Sequence, residues 1–371
     1  MAVDDATALN MEQRVDFFPG FSVRHADVEK QAVERLCVPG VDNRVRPAVS
    51  SVAHCAGMLD ADSLAPTIFH QGWWLDIVGR GRCELAEVSR NGRVVGRLPY
   101  LITRQRGFKV SVMPQLTHVL GPAVDPGRGS TNTRMLNRLD IMKELAGKLP
   151  QLALFWQSCH RQVEDVIAFQ GCGFDATAHF TSEITPAPEA QLWSAMRDKT
   201  RNVIRRSTER NSVEDIDDPE LFRAFYSHNL GASGRDAYFD LGLIAPLFEA
   251  CRARDCGRML MTRDERGQAS ASVFYVWDSQ TLWYFLSTRD RDAHDNGAVS
   301  LLLWHAIRDA ARRELLFDFD GVSSEGSARF FAGFGGTLAP RYAIRRSSAA
   351  YDLMKSVAAM FHGSGRNHFT G

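Results

Sequence analysis

The sequence predicts a mixed α/β protein, with α+β sheets, built from two tandem domains with a cleft between them. A pattern of apolar strand, helix, glycine stop and second strand begins near Leu154 and again near Leu316, 162 positions later. The two glycine stops, Gly171-Cys172-Gly173 and Gly333-Phe334-Gly335, keep the same spacing. Runs with hairpin character precede both copies. Self-similarity at a fixed spacing indicates a duplicated structural unit.

Composition excludes several classes of protein. The 371 residues are 44% apolar and 24% charged, with zero net charge, so no overall field attracts nucleic acid or a membrane. No apolar run approaches twenty residues and the N-terminus lacks a signal pattern, so we expect no membrane span and a cytoplasmic protein. Seven scattered cysteines without a C-x-x-C pair favour reduced thiols and no metal site. The adjacent Cys159 and His160 are interpreted as a coincidence, not as a nucleophile with its base.

The first domain is predicted over 54–186, after an N-terminal extension over 1–53. Asn91-Gly92 predicts a two-residue hairpin turn, because both positions must tolerate positive φ. The helix over Arg161–Gln170 is expected to stop at Gly171 in the left-handed conformation. Its other elements are a helix at Gln71–Val78, strands at Glu84–Arg90, Arg93–Ile102 and within Lys109–Leu120, a helix at Met135–Leu149, and strands at Leu152–Trp156 and Phe174–Ile184.

The second domain is predicted over 187–350, followed by a tail over 351–371. The boundary is expected at the Thr-Pro-Ala-Pro segment 185–188. The clearest helix is Asn296–Arg313, with apolar residues at helical spacing and arginines at its end. The other elements are helices at Glu189–Met196, Thr200–Asn211, Pro219–Gly231 and Ile244–Arg254, strands at Arg258–Arg263, Ala269–Trp277, Leu282–Thr288 and Leu315–Phe319, a helix at Ser327–Ala332, and a strand at Thr337–Arg345.

This doubled order of elements resembles the GNAT acyltransferase superfamily in its tandem FemAB-like form, over roughly residues 54–346. The stretches that carry the resemblance are Trp73–Leu75 with Gly92–Pro99, Met196–Arg206, Asn296–Trp304 with Phe317–Gly321, and Ala332–Gly336. It implies two GNAT-like domains and transfer of an acyl or aminoacyl group to a small-molecule or peptide amine. The implied donor is acyl-CoA in the wider superfamily and aminoacyl-tRNA in the true FemAB enzymes, and the fold alone does not choose between them.

The resemblance places the donor at the helix that begins at Asn296. Unpaired N–H groups at a helix start attract an anion such as a pyrophosphate. Arg289, Arg291, Asn296 and Gly297 are therefore the candidate cofactor-binding residues. The usual Gln/Arg-x-x-Gly-x-Gly/Ala pattern is absent, and three nearby aspartates oppose an anion. The alternative is a capped core helix preceded by a solvated loop.

The basic helix over 200–211 is a second candidate anion site. Arg201 and Arg205 lie four residues apart and share one helix face. The resemblance implies that phosphate groups of the acceptor or donor bind here, which makes Lys199, Arg201 and Arg205 candidate substrate-binding residues. The alternative is a solvated helix paired with nearby acids.

Two carboxylates, Asp318 and Asp320, alternate with Phe317 and Phe319. In a strand both carboxylates face one side, where one could remove a proton from the incoming ammonium. We therefore predict Asp318 and Asp320 as catalytic residues. The alternative is that they cap the following turn or pair with arginines.

Three aromatic residues lie on the predicted strands before the donor helix. Tyr284 is the candidate acid that protonates a leaving thiolate. Tyr275 and Trp283 are candidates to line an acceptor pocket. For all three, ordinary core packing is the alternative interpretation.

The first copy of the repeat shows no comparable polar cluster. Trp156, Gln157 and Ser158 occupy the positions of Asp318, Phe319 and Asp320. We interpret the first domain as a degenerate copy that shapes the cleft while the second carries out the chemistry. Two alternatives stay open: an aminoacyl-tRNA-dependent transferase, and a non-catalytic binding protein on the same fold. The sequence does not indicate an oligomeric state.

Overall fold

The computed structural model describes residues 64–291 and 297–362, which form two compact units. The N-unit comprises 64–179 and 340–362, and the C-unit comprises 180–291 and 297–339. Each combines helices with β-strands, so the predicted mixed α/β class is confirmed. The extension predicted over 1–53 lies outside the described residues. Among the described helices, none has both the length and the apolar composition needed to cross a bilayer.

The helices and strands follow one another along the chain in this order. They are α1 (Gly72–Gly79), β1 (Cys83–Arg90), β2 (Arg93–Gln105), β3 (Phe108–Ser111), β4 (Ala123–Val124), α2 (Thr131–Lys148), β5 (Leu154–Ser158), α3 (Ile167–Gln170), β6 (Asp175–Ile184), α4 (Glu189–Ala195), α5 (Asp198–Arg210), β7 (Asn211–Asp215), α6 (Pro219–Ala232), α7 (Ile244–Arg252), β8 (Gly257–Asp264), β9 (Ala269–Trp277), β10 (Thr281–Arg289), α8 (Ala298–Arg312), β11 (Leu316–Asp318), α9 (Glu325–Gly333), β12 (Thr337–Ser347) and α10 (Ala349–His362).

The N-unit is built on a sheet of order β1-β2-β3-β5-β12, with β4 added to β2. Its first hairpin turns at Asn91-Gly92 with φ of 50° and 76°, as the sequence predicts. The helix α2 packs closely on β2 at Gly96, where a Cβ atom would lie 2.4 Å from Cγ2 of Ile141. This close approach explains a glycine in the middle of a strand.

The C-unit is built on a sheet of order β6-β11-β10-β9-β8-β7. The β10–β11 pair is parallel and the others are antiparallel. On one face, Phe222 of α6 and Phe248 of α7 meet Phe274 of β9, with ring centroids 6.3 and 5.7 Å apart. On the other face, the hydroxyl of Tyr275 donates to Asp309 of α8. Helices therefore cover both faces of this sheet.

The strand that ends each copy of the repeat pairs with the other copy. The structure keeps the spacing of the sequence repeat. The strands β6 and β12 begin at Asp175 and Thr337, which are 162 positions apart, as are Leu154 and Leu316. The end of β6 nevertheless pairs with β11, and the end of β12 pairs with β5. Each unit is therefore discontinuous in sequence. The domain bounds 54–186 and 187–350 remain a proposal about the duplicated segments.

Candidate active site in the C-unit

Strands β10 and β11 separate in the middle of the C-unit sheet. They pair only where Thr281–Trp283 lies opposite Leu316–Asp318, after which β11 ends and β10 continues. β10 keeps its partner β9 as far as Arg289, with an irregularity between Tyr284 and Leu286. On the β11 side, no described strand pairs with β10 beyond Trp283. The sheet is therefore split here, and Asp318 lies at the apex of the split.

The carboxylate of Asp318 holds the turn that follows β11. Its Oδ1 atom accepts hydrogen bonds from the hydroxyl of Thr181 on β6 and, at 2.7 Å, from the backbone N–H of Asp320. The Thr181 hydroxyl oxygen accepts in turn from the N–H of Gly321, at 2.9 Å. This is the turn-capping arrangement that the sequence left open as an alternative.

Asp320 lies beyond the end of β11. Its φ of 62° is in the left-handed region, so the predicted strand alternation of the two carboxylates is wrong at this position. The alternation fails because the chain turns immediately after Asp318. The neighbouring ring of Phe319 stacks on Phe331 of α9, with centroids 4.3 Å apart, and this contact anchors the turn in the core.

Tyr284 lies on β10 one residue beyond the paired segment. It stands opposite Tyr275 in the β10–β9 ladder and is 2% exposed. Its hydroxyl donates to Oγ of Ser287 at 2.5 Å. The phenol is therefore at the start of the split, already in contact with a second hydroxyl that can relay a proton.

The structure does not bring Tyr275 and Trp283 to one pocket. Trp283 stands opposite Val276, so its side chain and that of Tyr275 emerge from opposite faces of the sheet. The Tyr275 hydroxyl donates to Asp309 at 2.9 Å, and Nε1 of Trp283 donates to Asp278 at 3.0 Å. Burial, followed by the neighbouring charge of Asp309, raises the pKa of Tyr275 well above its usual value.

The start of α8 has features that suit an anion. Gly297 occupies the N-cap position, where it offers no side-chain oxygen, and the first turn carries no acidic residue. Arg289 is the last residue of β10, and Arg291 is exposed just after it. Asn296 lies outside the described residues. The structure therefore places Arg289 and Gly297 at the two ends of the segment that joins β10 to α8.

The three residues of the basic helix α5 that were predicted to bind an anion have different roles in the structure. Arg201 donates to the carbonyls of Trp193 and Ser194 at 3.3 and 3.0 Å, which holds the end of α4. Arg205 is exposed and lies over the Trp193 ring, 5.4 Å from its centroid. Lys199 is also exposed. Arg201 is therefore committed to the fold, whereas Arg205 and Lys199 present charge at the surface.

Two glycines at and just after the end of α9 pack closely against neighbouring elements of the C-unit. A Cβ atom on Gly336 would lie 2.3 Å from Oγ of Ser182 and 3.2 Å from the Phe319 ring. The carbonyl of Gly333 accepts from the N–H of Arg197 at 3.0 Å, which fixes the start of α5. These close approaches bring β6, α5 and the Asp318 turn together.

Sequence reasoning did not select Thr181. Its partner Asp318 is 137 residues away in the chain, and only the pairing of β6 with β11 brings the two together. A threonine in a strand of alternating polarity carries no local signal for such a contact.

At the equivalent positions in the N-unit, the polar groups are used in the fold. The side-chain amide of Gln157, fully buried, donates to the carbonyl of Pro99 at 2.7 Å and accepts from the N–H of Gly121 at 3.2 Å. Burial raises the pKa of the Cys159 thiol to about 12 and lowers the pKa of the adjacent His160 to about 4. A thiol so hard to ionise is a poor nucleophile.

Comparison with known proteins identifies one domain of the chain. Residues 194–331 match the family profile described as an acetyltransferase (GNAT) domain. This part of the C-unit is therefore similar to a GNAT domain. The match begins in α4, ends in α9, and includes the split between β10 and β11 and the start of α8. A search of curated protein sequences found no match.

Solved structures extend the comparison to most of the chain. The crystal structure of FemX matches with a TM-score of 0.57 and 12% identity, covering 76% of this chain and 93% of FemX. L-PGS from Bacillus licheniformis matches with a TM-score of 0.45, 12% identity, and coverage of 78% and 93%. A tandem GNAT protein from the clavulanic acid biosynthesis pathway matches with a TM-score of 0.44 and 11% identity, covering 74% of this chain and 94% of that protein. The likeness to FemX shows a shared fold, so the tandem FemAB-like resemblance is confirmed at that level.

Proposed function

We propose that this protein is an N-acyltransferase that moves an acyl group from acyl-CoA to an amine. The observation that carries the proposal is the GNAT domain over 194–331, which contains both the split strands and the start of α8. The overall reaction joins a thioester and an ammonium to give an amide, the free CoA thiol and one proton. The reduced cysteines among the described residues favour the cytoplasm as its location.

In this proposal the donor binds at the start of α8. The pyrophosphate meets the backbone N–H groups after Gly297, where the helix dipole favours negative charge. Arg289, Arg291 and Asn296 are the side chains proposed to complete this site. The thioester then lies along the β11 side of β10 beyond Trp283, where no described strand pairs with β10.

The acceptor reacts at the split between the strands. Its ammonium loses a proton to a carboxylate of the Asp318 turn, because only the free amine has a lone pair for attack. The nitrogen then forms a bond to the thioester carbon, and the carbon–sulfur bond breaks. Tyr284 gives its proton to the leaving thiolate, and the second proton that the nitrogen loses on becoming an amide restores the phenol. Lys199 and Arg205 are proposed to attract anionic groups of the substrates.

Aminoacyl-tRNA is the second candidate donor. The fold shared with FemX and the exposed basic residues of α5 favour it. The attacking amine and the carboxylate have the same roles in that reaction, but the leaving group is a ribose hydroxyl. Binding would then weaken steeply with salt, because it depends on phosphate contacts.

A thermal-shift panel distinguishes the donors. The folded protein is mixed with CoA, acetyl-CoA, longer acyl-CoAs or aminoacyl-tRNA, and its melting temperature is recorded against concentration. A ligand that binds only the folded state must raise its stability. A saturable shift with an acyl-CoA supports the first proposal, and a shift with aminoacyl-tRNA alone supports the second. No shift with either contradicts both and leaves a binding protein on this fold.

A further inference from the structure

The two carboxylates of the turn after β11 have different environments. We propose that Asp320 takes the proton from the acceptor and that Asp318 and Thr181 are positioning residues that hold Asp320 in place. This inference rests on the proposed acyl transfer. It assigns to Thr181, which belongs in sequence to the first copy of the repeat, a role in the chemistry of the second.

The two acids differ in exposure, and Asp318 has a defined task in the turn. Asp318 is 1% exposed, whereas Asp320 retains 8%. Oδ1 of Asp318 accepts from both Thr181 and the N–H of Asp320. Because these two bonds hold the turn, we assign Asp318 the positioning role. An acceptor amine can approach Asp320 with less displacement of the protein.

The turn is fixed at both ends as well as at its centre. The N–H of Phe319 donates to the carbonyl of Ser182 at 2.9 Å, and the N–H of Val322 donates to the carbonyl of Phe180 at 2.7 Å. Between them, the Thr181 hydroxyl joins Asp318 to the N–H of Gly321. Both edges of the turn are therefore tied to β6.

Asp320 adopts a conformation that needs such support. The left-handed region carries a conformational cost for an L-residue, and this cost is smaller for Asp and Asn than for most residues. The chain accepts this cost at φ 62° because Asp318 accepts the N–H of Asp320 and Thr181 accepts the N–H of the next residue. Removal of the hydroxyl takes one donor from Asp318 and the acceptor from Gly321. The Asp320 carboxylate then loses its fixed direction.

The test compares four single variants of the full-length protein. Thr181→Ser keeps the hydroxyl, Thr181→Val keeps the shape without it, Asp318→Asn keeps an oxygen that can accept both bonds, and Asp320→Asn removes the proposed base. We measure kcat and KM with acetyl-CoA as the donor and a set of small primary amines and lysine-containing peptides as acceptors. We also follow hydrogen exchange of the Asp320 and Gly321 amides.

The expected losses follow from the roles. Asp320→Asn lowers kcat about 1,000-fold, and Asp318→Asn lowers it roughly tenfold, because a general base contributes about 10²–10⁴ and a positioning residue less. Thr181→Val lowers kcat about 30-fold with KM changed less than about threefold, and Thr181→Ser restores most of it. Amide exchange at Asp320 and Gly321 is faster in Thr181→Val than in Thr181→Ser.

Each contrary result has a definite meaning. An Asp320→Asn protein more active than Asp318→Asn overturns the assignment of the base. A Thr181→Ser protein as slow as Thr181→Val overturns the role of the hydroxyl. We call the hydrogen bonds that join Thr181 to Asp318 and Gly321 the clamp. Unchanged amide exchange in Thr181→Val overturns the clamp, whatever the activity. If the wild-type protein acylates no amine, the proposed function fails, while the exchange experiment still decides whether the clamp exists.

Discussion

Ile184 lies opposite Phe317 in an antiparallel pair, although Ile184 ends the first copy of the repeat and Phe317 belongs to the second. The reciprocal pairing places Arg346, from the end of the second copy, opposite Phe155. The core of each unit therefore contains side chains from both copies. This topology determines where the effects of substitutions should appear.

A core substitution in β12 should destabilise the N-unit. Ile344 is fully buried among residues of α2, β2 and β5. Ile344→Ala removes that contact and leaves a cavity, so we expect a loss of about 3 kcal/mol in the free energy of unfolding. Hydrogen exchange should accelerate in β5. Leu338→Ala, on the same strand but 60% exposed, is the matched control and should change stability by less than about 0.5 kcal/mol.

Gly336→Ala tests the close packing around the Asp318 turn. The new methyl group would lie 2.3 Å from Oγ of Ser182 and 3.2 Å from the Phe319 ring, so these side chains or β6 must shift and the free energy of unfolding should fall by about 1–3 kcal/mol. Gly326→Ala is the control in the first turn of α9, where the nearest heavy atom is 3.7 Å away. It should be neutral or stabilise the protein by about 0.5 kcal/mol. Equal effects in urea denaturation would contradict the packing argument.

The N-unit should lose stability in mild acid. His70 and His160 are buried with ring centroids 5.0 Å apart, and burial lowers both pKa values, that of His160 to about 4. The charge of His160 lowers the pKa of His70 further; for His160, the hydrogen bond to the Pro122 carbonyl opposes the effect of burial and the charge of Arg341 adds to it. Both folded-state pKa values lie below the unfolded value near 6.5, so the unfolded chain binds more protons as pH falls below it.

The free energy of unfolding should therefore decline from about pH 6.5 towards pH 4, by up to about 1.4 kcal/mol per pH unit for each histidine. Urea denaturation at a series of pH values measures this slope. His160→Gln should reduce it, whereas His228→Gln, whose side chain is exposed, should not. A flat profile would show that neither imidazole is held neutral by the fold.

Substitution of Arg201 should mainly affect stability, whereas substitution of Arg205 should mainly affect substrate binding. Arg201→Ala removes donors to two carbonyls at the end of α4, so we expect a loss of about 1–2 kcal/mol in stability. Arg205→Ala removes an exposed contact with Trp193 worth about 0.5 kcal/mol. The second variant should instead raise the KM or Kd for the anionic substrate severalfold at low salt. Unaltered substrate affinity in Arg205→Ala would support the alternative interpretation, in which α5 is a solvated helix without a role in binding.

Gly297→Asp should stabilise the protein and impair donor binding. An aspartate at this position suits the positive end of the helix dipole, which favours folding by about 0.5 kcal/mol. It also places negative charge where the pyrophosphate is proposed to bind. The thermal shift caused by acyl-CoA should shrink or vanish. Gly297→Ala, which adds no charge, should retain most of the shift.

Local signals predicted the elements of this fold well. The Asn91-Gly92 turn depends on the conformational freedom of two adjacent residues, and the 162-position spacing reappears in the first residues of β5, β6, β11 and β12. The same signals were misleading where the chain did not complete an element. The α-helix predicted over Arg161–Gln170 is confined to Ile167–Gln170, and the left-handed glycine is Gly173, with Gly171 at φ −61°.

Long-range pairing was beyond the reach of the sequence. Periodicity shows that β6 and β12 are strands, but it carries no information about which strands they join. The candidate site likewise combines features that the local sequence predicts with features that depend on strand pairing. The sequence selected Asp318 and Asp320 by residue type, whereas the contact with Thr181 and the separation of Tyr275 from Trp283 onto opposite faces follow from strand register.

The reciprocal strands also govern the order of events during synthesis. β5 leaves the ribosome early, but its partner β12 follows about 185 residues later. Pairing of the two strands closes a long loop, and such long-range contacts form slowly. At 5–20 residues per second the nascent chain waits roughly 10–40 s with that strand edge uncovered. An unpaired edge invites intermolecular association. The yield of folded protein in cells should therefore depend on chaperones that shield β5 until β12 has been synthesised. Slow translation should help less, because it lengthens the time for which the edge of β5 is exposed.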